Sequence, residues 1–196
     1  MIRYLLAAIL TTACWPTGAA AAGPAAYDIR VELSFAQASG DEGMRDELEL
    51  QLLSELRRAS CFRSVVRAAP DDVDGDADWE TLRLNIAVSE IFEETVYDTS
   101  IAQRADPMAP QELELLHTSR IYAIMRVSLE HPASGVELRT KNLRGAGAHR
   151  PLTLGEDARH VALTEATIEA AQAVRRFACK GGAKRLNKEI GLPPGR

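Results

Sequence analysis

The stretch Ile121-Tyr122-Ala123-Ile124-Met125-Arg126-Val127-Ser128-Leu129-Glu130-His131-Pro132-Ala133-Ser134-Gly135-Val136-Glu137-Leu138-Arg139-Thr140-Lys141-Asn142-Leu143 decides the fold class. In its first half Ile121, Ala123, Met125, Val127 and Leu129 alternate with Tyr122, Ile124, Arg126 and Ser128. His131 to Gly135 then interrupts the alternation. In the second half Val136, Leu138 and Thr140 point away from Glu137, Arg139 and Lys141. Period-two alternation over two runs, joined by a short Pro/Gly turn, predicts a β-hairpin with one buried face.

Upstream, Tyr27, Ile29, Val31, Leu33 and Phe35 alternate with Asp28, Arg30, Glu32 and Ser34, the pattern of a half-buried strand. Ser39-x-x-Glu42 offers a capping box for a helix start. Met44, Leu48, Leu52 and Leu56 fall at intervals of four, with Leu53 beside them, and make one apolar helix face. Ser60-Cys61 ends that helix. Phe62 to Ala68 reads as a short strand, stopped by Pro70, and residues 71–78 as an acidic loop. Leu82, Leu84, Ile86 and Val88 alternate with Arg83, Asn85, Ala87 and Ser89. Their phase changes at Glu90-Ile91-Phe92, which predicts a bulge or a strand end, with an exposed continuation to Tyr97.

A connection over 98–120 precedes the hairpin and is longer than a tight turn needs. Pro107 and Pro110 mark it, and Pro110 suits the first position of a short helix running through His117. After the hairpin, Gly145 and Gly147 read as chain breaks. Thr153-x-x-Glu156 offers a second capping box. Val161, Leu163, Ala166, Ile168, Ala170, Val174 and Phe177 then form a broad apolar helix surface, closed by Cys179 and stopped at Gly181-Gly182. The order is β-α-β-β-β-β-α. Each amphipathic helix must bury a face against a sheet. The expectation is therefore an α+β two-layer sandwich: a mixed or antiparallel sheet of four to five strands with two helices on one face.

The start of the chain reads as an export signal. Met1-Ile2-Arg3 is a short basic opening, Tyr4 to Ala13 is mostly apolar, Trp15-Pro16 breaks the run and Ala19 to Ala22 supplies small residues. The apolar run is too short to span a bilayer, and no later stretch qualifies. The reading is a signal peptide over 1–22, a short linker over 23–26, a single α+β domain over 27–180 and a basic tail over 181–196. Cys14 opens a second reading. Thr11-Thr12-Ala13-Cys14 resembles the lipobox of bacterial lipoproteins, with Thr11 where a Leu is usual. Lipidation at Cys14 would make the following Ala/Pro/Gly stretch a tether. The destination is the periplasm, or the outer membrane if the chain is lipidated.

Either processing route leaves Cys61 and Cys179 in an oxidising compartment. Both stand just past arginine-rich helix ends. If the helices lie side by side and parallel, the two cysteines meet and form a disulfide.

Little in the chain points to chemistry. Asp72-x-Asp74-x-Asp76 resembles the start of a calcium loop, but Gly75 and Arg83 stand in the wrong places, so it reads as a solvated loop. His117, His131, His149 and His160 lack metal-ligand spacing. No nucleophile-elbow, zinc-helix or phosphate-loop motif occurs. Glu90, Glu93 and Glu94 read as a charged strand end. The net charge of -5 argues against a nucleic-acid partner. With 46% hydrophobic residues the chain can fill a real core. Lys180, Lys184, Arg185 and Lys188 in the tail could touch anionic lipid, but a solvated terminus is the simpler reading.

Three stretches carry a family resemblance. They are Leu53 to Val66; Ala77-Asp78-Trp79 leading into Leu82-Arg83-Leu84; and the hairpin Leu129 to Leu138 with its Ser134-Gly135 turn. In this order they resemble the small α/β envelope domain of ABC-type transport auxiliary lipoproteins, the TolB amino-terminal domain and the curli-secretion lipoprotein. The resemblance implies an accessory or assembly component with no catalytic residues and no cofactor. The leading expectation is a non-enzymatic exported protein that binds another envelope protein through a sheet edge or the long connection, where Met108, Leu113, Leu115 and Leu116 are the candidate contacts. The alternative is a small-ligand or lipid carrier using a groove between helices and sheet.

Overall fold

The structure, a computed structural model, describes residues 27–37, 40–68, 79–98 and 117–189, with side chains to 180. The signal segment and linker, Cys14, the acidic loop, Met108, Leu113, Leu115, Leu116 and the end of the tail lie outside the described residues. The elements are β1 (Asp28–Phe35), α1 (Glu42–Arg57), β2 (Val65–Arg67), β3 (Thr81–Tyr97), β4 (His117–His131), β5 (Val136–His149) and α2 (Ala158–Glu189). The sheet order is β2-β1-β3-β4-β5. β1 runs parallel to both of its neighbours, and the β3-β4 and β4-β5 pairs are antiparallel. The fold is α+β, with a mixed five-stranded sheet and both helices on one face.

The alternation explains which face is covered. Ile29 and Val31, Leu82 to Val88 at even positions, and Ile121 to Leu129 at odd positions are all buried against Leu48, Leu52, Leu56, Ala166, Ala170 and Val174 of the helices. A full side chain of this size contributes about 1.5–3 kcal/mol on burial. The other face carries Arg30, Glu32, Arg83, Asn85, Arg126 and Glu130, and no described element covers it.

Several details depart from the sequence reading, each for a local reason. α1 is capped by Asp41, whose carboxylate accepts from the Met44 N–H at 2.9 Å, while Ser39 of the expected box lies outside the described residues. Glu156 accepts from the Leu152 and Thr153 N–H groups, but the cap of α2 is Asp157, which accepts from the His160 N–H. β3 does continue to Tyr97, with its register shift between Val88 and Glu90. β4 starts at His117, so 117–120 belongs to the ladder, paired with 94–97, and no helix runs through His117.

In β5 the register shifts opposite Leu129/Glu130, where Leu138 is the extra residue. Beyond that bulge the helix-facing positions are Arg139, Lys141 and Leu143, and Thr140 turns to the open face. Gly145 and Gly147 are strand residues and break nothing. α2 also runs through Gly181-Gly182 to Glu189.

Candidate functional site

The polar residues that might carry chemistry are occupied in holding the fold. His131 is buried, with Nδ1 2.8 Å from Ser134 Oγ and Nε2 3.0 Å from the Trp79 carbonyl, so it ties the hairpin turn to the entry of β3. His149 pairs with Glu156 at 2.8 Å, and His117 lies against the Tyr97 ring. Glu93 receives Arg159 at 2.9 Å, and Glu94 faces Arg120. Among the described residues no three His, Cys, Asp or Glu side chains group to hold a metal ion. No described helix is long and apolar enough to cross a membrane.

The helix layer is pinned at both ends. Arg159 reaches Asp41 at 2.9 Å where the two helices begin. Arg175 reaches Glu55 at 3.1 Å near the other end, and Cys61 is bonded to Cys179 with Cα atoms 5.6 Å apart. These contacts require α1 and α2 to run side by side and parallel. The disulfide closes a separation of 118 residues.

Among the described residues, stretches of strand edge are left without a neighbour. β1 ends opposite Val88, where Ala36 donates to the Val88 carbonyl. Beyond that point no described strand pairs with the β1 side of β3. The alternating antiparallel pattern tells which groups are bare. Ala146 of β5 turns its N–H away from β4, toward Glu169. Its neighbour Gly147 therefore faces β4, and Ile121, paired with Gly147, faces β5. Glu93, paired with Ile121, must then face away from β4, as must Thr95 and Tyr97. Their amides and carbonyls point to the bare side. Next to this edge, on the open face, Phe92 and Tyr122 stack with centroids 4.9 Å apart, and the Arg144 guanidinium lies 4.0 Å above the Tyr122 ring. Phe92 is 36% exposed and Tyr97 64%.

The outer edge of β5 is treated differently. Glu169 accepts from the Ala146 N–H at 2.6 Å and Glu165 from the Ala148 N–H at 3.3 Å, which blunts that edge with helix carboxylates. Toward the start of β5 this cover ends. There α2 and β5 leave a cleft of about 280 Å³ lined by Arg139, Lys141, Leu143, Ala173, Arg176, Phe177 and Lys180.

The candidate contacts in the long connection and Cys14 lie outside the described residues, so the structure places neither. The bare β3 edge was only half legible: alternation to Tyr97 predicts a strand, but the length of β1 decides which part lacks a neighbour. The β5 cleft is not legible in the alternation, because the bulge at Leu138 moves Arg139 and Lys141 to the helix face.

No protein-family model matches the chain, and no curated protein matches it in sequence. Solved structures of similar shape include a Xanthomonas campestris protein of the DUF330 family, with 12% identity, 85% of this chain and 88% of that one covered, and a TM-score of 0.49. A hypothetical protein from Chlamydia trachomatis is similar at 7% identity, 80% and 98% coverage and a TM-score of 0.48. A minor lipoprotein from Acinetobacter baumannii follows at 12%, 77% and 92%, with 0.43. No role passes to this chain from likenesses at these levels.

Proposed function

We propose that this is a non-enzymatic exported protein of the cell envelope, an accessory or assembly component that binds another envelope protein through its sheet. The observation that carries the reading is the bare edge of β3 at Glu93, Thr95 and Tyr97 beside the exposed Phe92–Tyr122 pair. A strand edge without a neighbour is a template for an added strand, and aromatic side chains beside it supply the contact area. Export is supported by the signal-like residues 1–22 and by the oxidised Cys61–Cys179 pair. Absence of catalysis is supported by the structural occupation of His131, His149 and Glu93. In this reading the connection, with Met108, Leu113, Leu115 and Leu116, adds to the contact, because its two ends leave from Tyr97 and His117 of the same ladder. The narrower kinship with ABC-type transport auxiliary lipoproteins, TolB or the curli-secretion lipoprotein belongs to the same proposal.

The carrier alternative draws less support. The alanines of α2 serve close approach, since Ala166 and Ala170 sit against Gly145, and the cleft between α2 and β5 is small and lined by cations.

Pull-down from envelope extracts tests the proposal with three chains: unchanged, lacking 99–116, and Thr95→Pro. Proline at 95 removes an N–H on the bare side and leaves the β3-β4 ladder intact. A partner retained by the unchanged chain and lost with Thr95→Pro is expected. Equal recovery by all three chains would contradict the proposal.

A further inference from the structure

The stripe of α2 that borders β5 changes character along its length. Glu165, Glu169, Ala173, Arg176 and Lys180 follow one another at helical spacing on that border. Four helix residues rise about 6 Å and two strand residues about 6.6 Å, so successive helix turns stay level with successive outward amides of β5. Glu165 serves Ala148 and Glu169 serves Ala146. By the same alternation the next outward amides are those of Arg144 and Asn142. Level with Arg144 on α2 is Ala173, which has no acceptor to offer, and level with Asn142 is Arg176, which is cationic. Beyond Ala173 the stripe turns cationic.

Among the described residues no carboxylate lies within ion-pair distance of Arg139, Lys141, Arg176 or Lys180, in a chain of net charge -5. Arg139 instead lies 4.8 Å from the Phe177 ring centroid. Leu143, Ala173 and Phe177 give the cleft an apolar floor. A strand edge without a described neighbour, an apolar floor and positive charge without a described acidic partner coincide at one place.

We propose that this cleft receives an acidic extended segment of a partner polypeptide, which adds to the β5 edge at 139–144 and lays its carboxylates on Arg139, Lys141, Arg176 and Lys180. The chain contains the precedent: Glu165 and Glu169 already place carboxylates on β5 amides two turns away. The segment is short, about five residues, because Glu169 closes the edge at Ala146 and strands advance about 3.3 Å per residue. An anionic lipid would answer the charge but has no strand to offer the edge. This site is separate from the β3 edge, and the inference stands whether or not that edge binds.

The test uses the purified full-length exported protein and a fluorescent decapeptide of alternating Glu and Val. Its comparators are the Lys/Val peptide, a Glu/Val peptide N-methylated at alternate residues, and phosphatidylglycerol vesicles. The Glu/Val peptide should bind at low salt and weaken as salt is added, and the Lys/Val and N-methylated peptides should not bind. Arg176→Glu with Lys180→Glu should weaken binding about tenfold or more through charge reversal at exposed positions. Ala173→Glu should also weaken it by extending the helix's own carboxylate ladder over the edge, while thermal midpoints stay unchanged. Failure of the Glu/Val peptide to bind, equal binding of the N-methylated peptide, binding of vesicles alone, or indifference to the charge reversal would each overturn the proposal.

Discussion

At the scale of single residues, Gly145 and Gly147 do the most unexpected work. A Cβ on Gly145 would meet the Ala170 Cβ at 2.6 Å and N at 2.7 Å, besides the Ala166 carbonyl oxygen. One on Gly147 would meet Ala166 N at 2.6 Å and Glu165 Cβ at 2.9 Å, besides the Ala162 carbonyl oxygen. These neighbours are mostly helix backbone and cannot swing aside. Gly147→Ala should therefore destabilise by about 1–3 kcal/mol or more through overpacking, read from the urea midpoint; an unchanged midpoint would show that α2 sits further from β5. In sequence the pair looks like a chain break, since glycine signals breaks and close approaches alike. The clue was the alanine run of α2 at matching periodicity.

Asp28 offers a pH test at the same scale. Hydrogen bonds from the Arg63 side chain and then the Ser64 hydroxyl hold its carboxyl below the ordinary value, as the Met44 N–H and Arg159 do for Asp41. A depressed carboxyl pKa contributes stability above the unfolded value, about 4, and loses it as pH falls through the lower folded value. Stability should thus decline from about pH 4 downward, and Asp28→Asn should flatten that decline. Urea midpoints between pH 5 and 2 that fall equally steeply in both proteins would refute the assignment.

At the scale of elements, the helix layer was legible and its ends were not. Intervals of four from Met44 to Leu56 specify the buried face of α1, and those residues are buried. The parallel pairing of the helices follows from the cysteines, since a bridge at 5.6 Å between Cα atoms joins equivalent ends. Yet α2 passes through Gly181-Gly182, because a glycine in a helix costs only about 1 kcal/mol and is a preference rather than a stop. Replacing both cysteines by serine should cost up to about 4–5 kcal/mol in the chain-entropy account of so long a loop. Denaturation of the double variant in urea measures it. Alkylation of both cysteines in protein purified without reductant would remove the bridge itself.

At the scale of the molecule, the strands differ in length, and that difference leaves part of the β3 edge without a described neighbour. β1 stops opposite Val88 while β3, β4 and β5 run on together. Hydrophobic alternation specifies each strand's inner face but says nothing of which neighbour ends first. That is why the layer architecture and the reach of β3 could be read from the chain, and the stretch of β3 without a described neighbour could not.

The central claim is that the protein works by lending the β3 edge to a partner strand. It is tested most directly by placing a photo-crosslinking residue at Thr95 in the full-length chain and irradiating intact cells. A discrete adduct with one envelope protein, absent when the same residue replaces Leu50 on the outer surface of α1, is the predicted result. No adduct from position 95, or the same adducts from both positions, would contradict it.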